Sequence, residues 1–447
     1  MDRRKLIENP YRPGAGHQPP FLAGRMSEQD YFRRLLRQGF TTQNILVTGL
    51  RGFGKTVLLD QLRRLAVSDG WLWVGNDLSE SSALSEERLA LRILTDLASA
   101  FSDRMSDGEK EGQSATEPSA GEMTFDALKS LYERSPGLPS DKLKAVVMRA
   151  GAVINRARLS GLIFAYDEAQ CLADHAARNE FPMSMLIETV AALQRIAGSS
   201  PCLLVLSGLP QVFEQLTETR TYTERMFHVM TLERLSRADT NLAIRGPLSK
   251  LMPPLHATDR VIEKAVDLSG GYPFLIQFFG KELVDGLLRN GGVIRDDQFP
   301  DPDCMERLDA GLFAARWNKT TDKQRWFLGL IASRSGWEGI DFSAQDVALL
   351  SVSEGDERLT NAQCSQALQA LVERGLLYRT RHGRFAFTVP MSEAMILRRL
   401  DAETGVDESW AVPPVAPNVT VPDGNGRGPK CMPPPARGGR FRNWLRS

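Results

Sequence analysis

The stretch "NILVTGLRGFGKT" at residues 44–56 narrows the choice of fold more than any other part of the chain. A short apolar run ends in a glycine-rich turn, which opens directly into the helical pattern of "KTVLLDQLRRLAVSDG". A continuous apolar strand of this kind suits the middle of a parallel sheet, buried on both faces. Gly49, Gly54, Lys55 and Thr56 fill the spacing G-x-x-x-x-G-K-[ST]. Glycines there let successive backbone N–H groups turn inward on phosphate with no Cβ in the way. Lys55 is placed to reach the β- and γ-phosphates and the Thr56 hydroxyl to ligate Mg2+, while the helix adds its positive N-terminal end. Arg51, Gly52 and Val57 complete the segment that would touch the nucleotide. The strand before the loop and the helix after it are the context that this reading needs, and they point to ATP and Mg2+ as ligands.

The rest of the chain supplies a sheet. "WLWVGN", "LIFAYDEAQ" (162–170), "PCLLVLSGLP" (201–210) and "FHVMTL" (227–232) are further apolar runs. Between the second and third of these, "FPMSMLIETVAALQRIAG" carries Leu186, Ile187, Val190 and Leu193 at helical spacing. Strands alternating with helices predict an α/β fold, a parallel P-loop NTPase sheet with helices on both faces. Residues 1–25, rich in Pro and Gly, read as an extended lead-in, and "SEQDYFRRLLRQG" as a helix capped by Ser27 and stopped at Gly39. The nucleotide-binding domain is expected over 26–235, with 102–122, poor in apolar residues, as an exposed or disordered insertion. A helical-only lid is expected over 236–316, a winged-helix domain over 317–400 and a disordered basic tail over 401–447.

Composition excludes several classes. With 55 Lys+Arg against 55 Asp+Glu, no global field pulls the chain toward nucleic acid or membrane, so any such affinity must be local. Cys171, Cys202, Cys304, Cys364 and Cys431 show no metal-ligand spacing, and Cys202 and Cys364 read as buried small hydrophobes. The opening "MDRRKLIENPYRPG" has no apolar core of a signal peptide, and no run approaches the roughly 20 residues that a bilayer needs. A cytoplasmic protein with no membrane partner is the expectation.

Whether the nucleotide is hydrolysed turns on "LIFAYDEAQ", which ends a buried strand in adjacent Asp167 and Glu168. Strand-end carboxylates collect where sheet ligands bind. Asp167 would hold the Mg2+ shell and Glu168 would polarise the attacking water; a pure carrier needs the first and not the second. Ser207, ending the fourth apolar run, is either a contact to the γ-phosphate or lytic water, or part of an ordinary Ser-Gly turn.

Taken in order, "LAGR", "GLRGFGKT", "LIFAYDEAQ", "LLVLSGLP" and "SGGYPFLIQ" resemble the AAA+ ATPases, in the initiator-like and archaeal-ATPase branch that shades into the STAND class. "RPGAGHQPPFLAGR" and "LVERGLLYRTRHGRFAF" look like a bacterial group of AAA ATPases with a C-terminal winged helix. The resemblance implies that residues 21–25 border the adenine, that Ser207 is the first sensor where many relatives carry Asn or Thr, and that Gly271 and Pro273 form a lid-side G-x-P motif. "SGGYP" reads equally as a helix stop and restart. An arginine finger from a neighbouring subunit would be Arg225, with Arg220 as second choice, alongside Lys55, Glu168 and Ser207 in catalysis.

At the C-terminal end, "FSAQDVALLS" reads as a helix capped by Ser343 with Asp346 in its first turn, and "TNAQCSQALQALVERG" as the next helix. "LLYRTRHGRFAFTVP" reads as a hairpin. Asn361, Gln363, Gln366 and Gln369 would lie on the exposed face of the second helix, where Gln and Asn suit adenine edges. Arg379, Arg381, His382 and Arg384 would gather at the hairpin tip, suited to phosphates. Two functions follow: an ATP hydrolase, slow unless stimulated, acting on double-stranded DNA, or a STAND-like signalling or defence switch docking a protein effector. Either is compatible with a homo-oligomer.

Overall fold

In a computed structural model the described residues are 8–14, 16–41, 43–78, 85–110, 122–196, 201–219, 223–251, 255–333, 341–353, 359–381, 383–388 and 391–404. They fall into two compact units, one comprising 14–18 and 22–233, the other 1–13, 19–21 and 234 onward.

The first unit runs α1 (Met26–Leu36), β1 (Asn44–Thr48), α2 (Lys55–Ser68), β2 (Trp71–Val74), α3 (Glu86–Lys110), α4 (Phe125–Arg134), α5 (Pro139–Arg156) and β3 (Gly161–Tyr166). It continues through α6 (Pro182–Gln194), β4 (Cys202–Gly208), α7 (Gln211–Thr219), the short α8 (Thr223–Met226) and β5 (Phe227–Thr231). The strands form one sheet in the order β2-β3-β4-β1-β5, every pair parallel. β1, β3 and β4 are buried at every position, as their unbroken apolar runs require.

Strand alternation sorts the two faces. Leu46, Phe164, Tyr166, Leu204 and Leu206 pack into a core with Leu89, Ile93 and Leu97 of α3, Val146 and Val147 of α5, and Leu186 and Val190 of α6. The alternate residues Ile45, Val47, Ala165, Val205 and Ser207 look to the other face, covered by α2 through Leu58 and Leu62. The last paired rung of β3 and β4 is Tyr166 with Leu206. One residue further, Asp167 and Ser207 stand level on the face of α2.

Three expectations are corrected here. Residues 102–110 are not an irregular insertion but the end of α3, and the remainder of that stretch, 111–121, lies outside the described residues. Leu89, Ile93, Leu94, Leu97 and Phe101 anchor the helix on its buried face. Once nucleated, it propagates through a mostly polar sequence, and such a continuation leaves no hydrophobic period to read. Ser27 does not cap α1: the cap position is Arg25, with left-handed φ of 62°, and Ser27 sits inside the first turn. The lead-in is packed over part of its length, where Tyr11 is buried and donates its hydroxyl to Ile244 O, while Asn9 donates to Lys281 O and Asp285.

The second unit contains α9 (Arg237–Leu248), β6 (His256–Ala257), α10 (Asp259–Ser269), α11 (Pro273–Arg289), β7 (Val293–Ile294), α12 (Cys304–Leu312) and α13 (Ala314–Trp317). The region expected to be purely helical thus carries a two-residue parallel strand pair, β6 with β7. Then come α14 (Asp322–Ala332), β8 (Phe342–Ser343), α15 (Ala344–Ser353), α16 (Asn361–Glu373), β9 (Leu377–Arg381), β10 (Arg384–Phe387) and α17 (Ser392–Thr404). Its antiparallel sheet has the order β8-β10-β9. Arg399 of α17 forms paired hydrogen bonds of 2.6 and 3.0 Å with Asp309 of α12, joining the C-terminal module to the helices before it.

Between α10 and α11 the chain reverses in "GGYP". Gly270 ends α10 with φ of 53° and Pro273 opens α11, so the stop-and-restart reading is correct as local structure. Gly271 has φ of 77°, and a Cβ added there would lie 2.4 Å from Leu235 O. Its own carbonyl accepts the Leu235 N–H at 2.7 Å. Gly271→Ala should therefore destabilise the protein by about 1–3 kcal/mol, while Gly39→Ala, with no close neighbour, should stay within about 0.5 kcal/mol in the same urea titration.

Candidate nucleotide-binding site

The glycine loop leaves β1 between β4 and β5 and turns into α2 at the carboxyl edge of the sheet. Gly52 and Gly54 both have φ of 85°, a left-handed backbone that a side chain would strain. Gly49 is required for a different reason: a Cβ would lie 2.8 Å from Leu232 O. Leu232 is held in place by its N–H bond to Thr48 O at 2.7 Å, so β5 forms one wall of the loop. Gly54 occupies the cap position of α2, and the Leu58 N–H bond to Gly54 O at 2.8 Å starts the helix.

Lys55 is only 6% exposed, and its Nζ donates to Gly49 O and Leu50 O, both at 3.1 Å. Burial pulls its pKa below the ordinary lysine value, with Arg51 pushing the same way and Asp167 and Glu168 opposing. The fold thus holds an ammonium where desolvation disfavours it, an arrangement typical of functional sites rather than of stabilising ones.

Asp167 is 3% exposed. Its Oδ2 accepts the Thr56 hydroxyl at 2.5 Å and its Oδ1 accepts the Glu168 N–H at 2.9 Å. On the backbone, Asp167 N–H donates to Asn76 O at 3.3 Å and Asp167 O accepts from Leu78 N–H at 3.2 Å, so the residues after β2 fix the carboxylate's place. Residues 111 apart in sequence therefore meet in one hydrogen bond. Glu168 follows with φ of 54°, uncommon for a residue with a side chain. Ser207 is fully buried on the same face of the sheet as Asp167, and among the described residues its hydroxyl has no hydrogen-bond partner.

Three contacts near the loop had no clear sequence signal. Gln170 donates through Nε2 to Glu168 Oε2 and accepts the Leu209 N–H at Oε1 over 3.2 Å. Arg25 donates to Phe53 O at 3.4 Å and also to Glu233 O, and Gln18 donates to Val57 O at 3.0 Å and to Asp60 Oδ2 at 2.7 Å. All three are lone polar residues whose partners come together only through folding.

The remaining candidates scatter. Arg225 is exposed on α8, immediately before β5, and Arg220 lies outside the described residues. Gly271 and Pro273 belong to the second unit, in the turn before α11. Phe21 packs by Gly246 in that unit, whereas Arg25 belongs with the sheet. Gln366 is exposed on α16, but Gln363 is used as the capping-box partner of Thr360. Arg379 is exposed and donates to Gln369 at 2.6 Å. Arg384 differs from the expectation of a free phosphate contact: its guanidinium is bound to Asp341 at 2.7 Å and to Asp346 at 3.0 Å. Those acids lie far from "TRHGR" in sequence, so their capture of Arg384 was invisible there. The side chains of Arg381 and His382 lie outside the described residues.

A five-stranded parallel sheet in this order, with the glycine loop on β1 and paired carboxylates after β3, defines an AAA+ type of P-loop fold. The Aeropyrum pernix ORC2 protein, solved as ADPNP-ADP complexes, is similar at a TM-score of 0.51 and 12% identity, over 88% of this chain and 98% of that one. Its ADP form gives 0.50 and 11% over 89% and 98%. The Aeropyrum pernix ORC1 protein in complex with DNA gives 0.42 and 15% over 86% and 94%. Residues 310–396 match a family model described as Domain of unknown function (DUF8462). A search of curated proteins finds no match. Among the described residues no helix is long and apolar enough to cross a membrane.

Because the fold holds the Lys55 ammonium against a desolvation cost, that residue should serve binding and not stability. At every pH below its lowered pKa the side chain stays charged and the folded state bears the desolvation penalty, so removing the charge relieves that penalty. Lys55→Met should leave the thermal midpoint of the nucleotide-free protein unchanged or higher, and lower ATP affinity by at least about 100-fold in a fluorescent-nucleotide titration.

Proposed function

We propose that this chain binds ATP with Mg2+ at residues 49–57 and hydrolyses it to ADP and phosphate. The observation that carries this reading is the Thr56–Asp167 hydrogen bond, with Glu168 beside it and the buried Ser207 hydroxyl level with Asp167. The donor set fits a magnesium nucleotide: a hydroxyl and a carboxylate in contact, a buried ammonium, and a loop of glycines at left-handed φ. Mg2+, held by Thr56 and Asp167, would neutralise charge developing on the transferred phosphoryl group.

The chain's residues divide the remaining work. Lys55 exchanges its two loop carbonyls for phosphate oxygens, the Thr56 hydroxyl would ligate the metal and Asp167 would hold its shell. Glu168 orients the attacking water and takes its proton; Ser207 offers a hydroxyl to the γ-phosphate. Arg225, exposed at the edge of the sheet unit, acts on the γ-phosphate of a neighbouring subunit in a homo-oligomer. The ADPNP and ADP carried by the Aeropyrum pernix ORC2 structures accord with this ligand class.

The output is a movement of the second unit. The Gly271–Pro273 turn senses the nucleotide from the lid side, and the Arg399–Asp309 pairing makes the lid carry the C-terminal winged helix with it. Double-stranded DNA is the partner for Gln366, Arg379 and Arg381. A protein effector is the second reading, favoured by the engagement of Arg384 with Asp341 and Asp346, which subtracts one cation from the hairpin.

Phosphate release is the first test, measured against protein concentration with and without duplex DNA. Glu168→Gln should reduce turnover by about 100-fold or more while retaining ATP, whereas equal turnover in that variant would sink the hydrolysis reading. Specific activity should rise with concentration and cease to do so in Arg225→Ala. For the partner, Arg379→Ala with Arg381→Ala should weaken duplex binding and flatten its salt dependence by about one unit or more of slope. Absence of salt-dependent duplex binding in the unaltered protein would favour the effector. Arg384→Ala should instead lower the thermal midpoint, since it removes the cation that Asp341 and Asp346 share.

A further inference from the structure

Gln170 uses both ends of its amide, and the two ends reach different elements. The Nε2 donates to the Glu168 carboxylate, and Oε1 accepts the backbone N–H of Leu209 at 3.2 Å. Leu209 directly follows β4, whose last two residues are Ser207 and Gly208. Gly208 makes the room: a Cβ there would lie 2.7 Å from Gln170 Oε1 and 2.6 Å from the Val212 side chain. Neither hydrogen bond involves the glycine loop.

Glu168 needs such a partner. Its backbone is left-handed, at φ of 54°, and the residues after it form a 3-10 turn, 169–172, instead of a continuing helix or strand. Among the described residues, the hydrogen bond that fixes the direction of its carboxylate comes from an amide fastened to the neighbouring strand end. Resting on the hydrolysis reading above, we propose that Gln170 is a positioning residue that couples the end of β4 to Glu168. The segment that carries Ser207 sets, through one amide, where the carboxylate stands for the attacking water. Any shift of residues 207–209 toward or away from a γ-phosphate is thereby passed to Glu168. An aspartate or glutamate at position 170 would repel Glu168, and an apolar residue would leave it unguided, so the amide's paired donor and acceptor are what the position requires.

The test separates geometry from binding. In Gln170→Met, which keeps the side chain's length and removes its hydrogen bonds, kcat per bound nucleotide should fall by about tenfold or more. The KM for ATP and the Kd for a fluorescent ADP analogue should stay within about twofold of the unaltered protein, with unchanged binding stoichiometry. A structural role alone would lower stoichiometry and thermal midpoint and leave kcat per bound nucleotide intact. Should Gln170→Met fail to fold, Gln170→Asn keeps the amide but is one methylene too short to reach both partners, and the same split is expected. Unaltered kcat in a folded variant, or a rise in KM at constant kcat, overturns the inference while leaving hydrolysis standing. An unaltered protein that binds ATP and never turns it over overturns both.

Discussion

Two opposite charges buried at the carboxyl edge of one parallel sheet set the terms for everything near them. Lys55 and Asp167 are each less than a tenth exposed, and neither is comfortable there alone. Lys55 is offset by two loop carbonyls and by the carboxylates across the site. Asp167 is offset by the Thr56 hydroxyl and the Glu168 N–H. A core of the same volume built from hydrocarbon would be easier to fold, so the charges imply a ligand that uses them.

Those charges need a rigid frame, and the sheet supplies it. β4 stands between β1 and β3, so the strand that carries the glycine loop and the strand that carries the carboxylates are both paired to the one that ends in Ser207. Among the described residues the Ser207 hydroxyl has no partner, and a polar group buried in that way costs about 1–3 kcal/mol. Gln170 ties the same strand end to Glu168, so the end of β4 and the acid are linked through hydrogen bonds instead of being merely close.

The second unit is organised by a different requirement, the reversal of chain between α10 and α11. Gly271 approaches Leu235 too closely for any side chain, and Arg234 lies 4.4 Å from the centre of the Tyr272 ring with a hydrogen bond to its hydroxyl. The chain enters this unit at Arg234, clasped by the turn from its first residues, and Leu232 just before is clasped by β1 and the loop.

Local pattern alone was enough for the strands, the glycine loop, α2 and the paired carboxylates, because unbroken apolar runs and left-handed glycines are written in neighbouring residues. The same holds for Gly270 and Pro273 at their helix ends. α4 and α5 escaped notice although Leu143, Val146, Val147, Ala150 and Ile154 give α5 a buried face at helical spacing. The helical course of residues 102–110 escaped notice because its sequence carries almost no apolar residue to mark a period. Arg384 read as a phosphate contact because the sequence shows charge but not the acids that capture it. The sequence by itself determined that this chain builds a buried strand, a glycine-rich loop and a helix in succession, since each part is a short-range steric and hydrophobic requirement. Only the tertiary structure decided that Thr56 meets Asp167, that Ser207 stands level with it and that Gln170 bridges Glu168 to β4, because strand order and register are set by long-range packing.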